Sequence, residues 1–271
     1  MRPTEHVLDS AAVAVPGDTE PVPGGQADSV RAGDLVLSPG RDASTRDALS
    51  PRIARLAVDL DTRRERDHRD LRIAMPVPAR DGSWVVDGWA ATRFEPGAVP
   101  LTDLVATRAV GAVLHAELAR HVPDPVLPHR EDRSGWAERV AFGEAPVPVG
   151  LGRDGAELLQ VLLAHREDTP LGPDQLVHAD LAGTVLLDPR GAPVVVDIIP
   201  SRRPVLWAEA VLVLDSVLWH EADAAVMDEW ATGAAGAAML RVAIFRLVGD
   251  RPADAPACAR ALTPLLAGLG A

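Results

Sequence analysis

Apolar residues recur along the chain at two spacings, and the balance between them changes near residue 97. Before that point, short apolar runs are broken by Gly, Pro and Asp. Val30-Arg31-Ala32-Gly33-Asp34-Leu35-Val36-Leu37 has a Gly-Asp centre between apolar flanks and predicts two short strands around a turn. Leu71 to Pro78 and Ser83 to Thr92 are strand-like, and Asp81-Gly82 between them predicts a hairpin. One helix interrupts this region. Ala48, Leu49, Ile53, Leu56, Ala57 and Leu60 recur at three- and four-residue spacing over 44–60, and the charged run from Asp61 to Asp70 after it reads as a solvated helix end or loop. The first twenty residues have weak periodicity and predict a loosely attached lead-in, with order beginning near Val22.

Beyond the turn at Phe94-Glu95-Pro96-Gly97 the period is helical. Helices are predicted at 101–121, 134–142, 154–166, 205–221, 223–232, 235–249 and 254–268. Only one stretch departs from this. Gln175 to His178, Thr184 to Asp188 and Ala192 to Ile199 are short apolar strands, the last two joined by Pro189-Arg190-Gly191. Strands first and helices afterwards predict an α+β fold.

With 271 residues, 47% of them apolar, the chain can bury a sizeable core. No apolar run reaches eighteen residues, and Met1 to His6 lacks the charged-then-apolar pattern of a signal peptide, so the expectation is a cytoplasmic protein without a membrane partner. A net charge of -12 argues against nucleic acid, whose phosphates need a concentrated basic face, and favours a small-molecule or protein partner. Cys258 stands alone and reads as a buried, inert thiol. All 27 basic residues are arginine. Chemistry that needs a lysine amine is therefore excluded.

Three side chains are placed where catalytic groups are found, in loops beside apolar strands. His178-Ala179-Asp180 follows one strand, and Asp197 closes the strand beyond the 188–191 hairpin, so the fold could bring two carboxylates to one metal-bound phosphate. A purely structural role, His178 capping a turn and the aspartates satisfying loop backbone, is the alternative. His115, His121 and His129 fit no common zinc spacing and read as surface or loop residues. Asp215, in an apolar helix, calls for a partner such as Arg202 or Arg203, and Trp207, Trp219 and Trp230 read as core.

The stretch His178-Ala179-Asp180-Leu181 to Val196-Asp197-Ile198 resembles the motif of aminoglycoside phosphotransferases and choline kinases, His-Gly-Asp-Leu-x-x-x-Asn followed by a hydrophobic strand ending in Ile-Asp. The likeness extends over about residues 22–250. More narrowly the chain is similar to an actinobacterial group of kinase-like proteins, through Arg31-Ala32-Gly33-Asp34, Trp84 to Trp89 and Arg203-Pro204 with Trp207-Ala208. The resemblance implies a bilobal protein-kinase-like fold: a lead-in at 1–21, a small β-rich nucleotide-binding lobe at 22–97 and a mainly helical lobe at 98–271. It also implies phosphoryl transfer from ATP or GTP, with Mg²⁺, to a hydroxyl of a small-molecule substrate, of cationic type as in aminoglycoside and choline kinases. Asp180 would take the acceptor proton, His178 would brace the loop, and Asp197 would hold the metal. Phe94 and Glu95 would meet the purine, and Gly24-Gly25 would form the turn over the phosphates.

Two positions depart from the family pattern. Ser38 stands where a lysine grips the α- and β-phosphates, with Arg31 and Arg41 as nearby substitutes, and Thr184 stands where an asparagine holds metal. Three readings follow: an active phosphotransferase, a pseudokinase retained as a ligand- or protein-binding module, and a metal-dependent hydrolase on another fold.

Overall fold

The computed structural model describes residues 2–11, 19–22, 28–123, 127–128, 130, 132–147, 151–249 and 252–269. The chain divides into two compact units, one formed by Met1–Pro128 with Gly183–Ser201, the other by His129–Ala182 with Arg202–Ala271.

The first unit contains two sheets. Strands β1 (Glu20–Pro21), β2 (Val30–Ala32), β3 (Leu35–Ser38), β5 (Pro76–Val77) and β6 (Ala90–Arg93) form an antiparallel sheet in the order β1-β2-β3-β6-β5. The predicted turn at Gly33-Asp34 joins β2 to β3, and Gly33 takes a φ of +63° that suits glycine at the first position of a two-residue hairpin loop. The sequence around the next hairpin contains two turns. Ala79 to Ser83 closes the expected one, while Val86-Asp87-Gly88-Trp89 makes a second, with both central residues at positive φ and reciprocal backbone bonds between Val86 and Trp89. That second turn delays the strand to Ala90. Leu35, Leu37, Val30 and Trp89 form the core of this sheet. Val7 and Ala11 join them from α1 (Glu5–Ser10), whose N-terminus Thr4 caps, so part of the segment read as a loose lead-in is packed.

A second, four-stranded sheet has the order β4-β10-β9-β7, from β4 (Arg72–Ile73), β7 (Val99–Pro100), β9 (Val185–Leu187) and β10 (Pro193–Val195). The β9–β10 hairpin thus pairs with strands far earlier in sequence, which is why residues 183–201 belong to the first unit. Helix α2 (Ala43–Thr62), capped by Asp42, buries Leu49, Ile53, Leu56 and Leu60, each contributing roughly 2 kcal/mol by its removal from water. Helix α3 (Leu104–His121) starts at a cap formed by Asp103.

The second unit is mainly helical: α4 (Arg133–Phe142), α5 (Arg153–Ala164), α6 (Val205–Trp219), a 3-10 turn at Ala224–Trp230, α7 (Gly233–Val248), α8 (Ala255–Ala261) and α9 (Thr263–Leu269). Strands β8 (Asp174–His178) and β11 (Pro200–Pro204) pair beside them. Trp207 on α6 is fully buried, edge-on to both Phe142 and Phe245. Cys258 is buried too, and burial pushes its thiol up to about 12, so it stays protonated. The architecture is mixed helix and sheet, with sheet in the N-terminal part and helices in the C-terminal part, as the change of period predicts. No helix among the described residues is long and apolar enough to cross a membrane.

Candidate functional site

In the first unit a cavity of about 340 Å³ opens between the two sheets, within the size range of small-molecule sites. Ser38, Phe94, Glu95, Thr184 and Asp197 all line it, so five predicted positions converge on one space. Gly24 and Gly25 lie outside the described residues. His178 and Asp180 belong to the second unit.

Asp197 closes the segment after β10 at a φ of +56°, a left-handed conformation that aspartate adopts more readily than most residues. Its side chain is 11% exposed, and each oxygen is taken by a different guanidinium. Arg46 Nη2 donates to Oδ1 at 2.6 Å, and Arg41 Nη2 donates to Oδ2. Burial alone would raise the Asp197 pKa, but the positive charges of Arg46 and Arg41 overcome it and hold the carboxyl at about 2. Arg41 is itself fixed by backbone: its N–H donates to the Gly88 carbonyl and its Nη1 to the Pro39 carbonyl.

Sequence reading named Arg41 as a substitute phosphate ligand and missed Arg46 altogether. A signal for Arg46 was present. Arg46, Leu49 and Ile53 fall on one stripe of α2, so a guanidinium stands in line with core residues and needs a carboxylate partner.

The other predicted groups of this unit are also internally engaged. Ser38 and Ser29 are buried, and their hydroxyls hydrogen-bond at 3.0 Å. Both Glu95 oxygens accept from Arg72, at 2.8 and 3.3 Å. The Phe94 and Ala98 N–H groups donate to the Asp34 and Glu95 carbonyls. Arg31 donates from Nε to the Gly33 carbonyl and stacks over Phe94. Thr184 is buried, and its carbonyl accepts from the Val196 N–H at 2.9 Å.

Mg²⁺, which the resemblance implies here, needs carboxylate oxygens turned toward it. At Asp197 both oxygens already accept from guanidinium donors, and two positive charges within hydrogen-bond reach of the carboxylate oppose a further cation. These residues do not fit Mg²⁺. A nucleotide's triphosphate would find no lysine at Ser38 on this wall.

In the second unit His178 is fully buried, and the Asp180 N–H donates to its Nδ1 at 3.1 Å. That bond requires an unprotonated Nδ1 and braces the loop. Asp180, 27% exposed, accepts from Arg246 Nη2 at 2.9 Å. Arg246 also bonds both oxygens of Asp215, which is 1% exposed on α6. Burial opposes the charge on Arg246, yet the carboxylates of Asp215 and Asp180 outweigh it and raise its pKa. The expected partner for Asp215 was Arg202 or Arg203. The structure pairs Asp215 with Arg246, and Arg203 bonds Glu138 and Glu144 instead.

No protein-family model matches the chain, and no curated protein does. Among solved structures it is similar to a choline/ethanolamine kinase family protein from Mesorhizobium loti, at 18% identity over 96% of this chain and 98% of that one, with a TM-score of 0.42. Choline kinase LicA from Streptococcus pneumoniae gives 13% identity, 98% and 91% coverage and a TM-score of 0.49. Macrolide 2'-phosphotransferase MphH from Brachybacterium faecium gives 19%, 89% and 79%, and 0.38.

Proposed function

We propose that this protein is a kinase-like binding module, holding a small molecule in the cavity of its first unit and not transferring phosphoryl groups efficiently. The observation that carries this reading is the double guanidinium clasp on Asp197. Phosphoryl transfer is catalysed by positioning and by neutralising phosphate charge, and both depend on cations directed at the phosphates. Here the carboxylate that would hold the metal is spent on Arg41 and Arg46, and the lysine position is a serine bonded to a serine.

A phosphotransferase remains the second reading, favoured by the His178 brace on Asp180 and by the partial exposure of the Asp180 carboxylate. The two separate in an assay of phosphoryl release from ATP and GTP with Mg²⁺ and a panel of small hydroxyl acceptors. A binding module turns over no faster than its Asp180→Ala variant. Mg²⁺-dependent turnover that Asp180→Ala abolishes would establish the enzyme.

A further inference from the structure

We infer that the cavity of the first unit selects an uncharged ligand, a hydroxyl-bearing ring molecule of nucleoside type, over the phosphorylated forms of the same molecule. The inference rests on the reading that this cavity is a binding site, and it specifies the ligand's charge.

It follows from the ionised groups on the cavity wall. There are three among the described lining residues, and each has an opposite charge from the protein itself: Asp197 with Arg41 and Arg46, Glu95 with Arg72, and Arg93 with Asp34. Asp197 and Glu95 have both oxygens engaged. A phosphate entering this space gives up its hydration and meets two carboxylates already engaged by guanidiniums, with no lysine in the chain to receive it; the one cation among the described lining residues, Arg93, is 53% exposed and paired with Asp34, so a phosphate there gains little over water. Breaking the Asp197 clasp to free an arginine strands a buried carboxylate, which costs more than one exchanged ion pair returns.

The remainder of the wall suits a neutral molecule. Val36, Phe94, Val99, Leu186 and Val196 offer apolar surface against which a ring buries without desolvating charge. Polarity comes from hydroxyls. Ser29 and Ser38 share one hydrogen bond, in which only one O–H is used, so the pair keeps a donor and lone pairs for a ligand hydroxyl or ring nitrogen. Thr92, also on the wall, adds a third hydroxyl.

The test is calorimetric titration of the full chain with adenosine, guanosine, ATP and GTP, each with and without Mg²⁺. The proposal expects a nucleoside to bind at least about tenfold more tightly than its triphosphate, with Mg²⁺ changing neither affinity by more than about twofold. Ala98→Trp, at a partly exposed loop position on the wall, should abolish that binding while leaving the urea midpoint nearly unchanged. Mg²⁺-dependent triphosphate binding stronger than nucleoside binding would overturn the charge preference and leave the cavity as a binding site. Failure of all four probes would overturn the cavity reading itself, and nucleoside binding undisturbed by Ala98→Trp would move the site elsewhere.

Discussion

Asp197 illustrates how one residue's surroundings decide its chemistry. In sequence it is an aspartate ending an apolar strand, the position of a metal ligand in the kinases it resembles. In the fold it is the anionic centre between Arg41 and Arg46, and those cations hold its pKa at about 2. The folded pKa lies below the ordinary unfolded value of about 3.9, so the stabilisation is fully present above about pH 4 and is lost as pH falls through about 2. Urea midpoints measured from pH 5 down to pH 2 should therefore fall more steeply for the native chain than for Asp197→Asn. Parallel curves for the two would remove Asp197 from this role. The aspartate was legible in the sequence because it closes a recognisable motif. Its partners were not, since they come from a loop and a helix about 150 residues earlier and only tertiary structure joins them.

At the scale of elements, buried charge is matched between helices. Helix α6 carries Asp215 and helix α7 carries Arg246, each among apolar neighbours, and the two bond at 2.7 Å between Arg246 Nε and Asp215 Oδ1. Removing one partner strands the other in the core, at a cost of about 3–5 kcal/mol. Asp215→Leu and Arg246→Met should each destabilise by that order, and the double variant by clearly less than their sum. A double-mutant cycle in urea measures this, and simple additivity would contradict it. Most helices could be read from apolar periodicity, including α2 and α3. Two features escaped: the split of the last predicted helix into α8 and α9, and the 3-10 turn at Ala224–Trp230. Periodicity cannot separate a short interruption or a tighter turn from a continuous helix. The partner of Asp215 also escaped, because charge complementarity across α6 and α7 has no sequence spacing.

At the scale of the molecule, the change from strands to helices along the chain correctly predicted an α+β architecture. The division into units was less visible. Residues 183–201 pair with β4 and β7 of the first unit, so the chain leaves the second unit's sequence and returns to it. Long-range β pairing of this kind leaves little local trace. The cavity was legible as a set of five residues but not in its character: the sequence lacks the family's lysine at Ser38 and its asparagine at Thr184, whereas the fold adds the engagement of the remaining charges by Arg41, Arg46 and Arg72. The central claim is that guanidiniums have taken the metal's place at Asp197. Electron paramagnetic resonance of Mn²⁺ titrated into the native chain and into Asp197→Asn tests it most directly. The account predicts the same weak, nonspecific uptake by both proteins; tight uptake of one Mn²⁺ by the native chain, lost in Asp197→Asn, would contradict it.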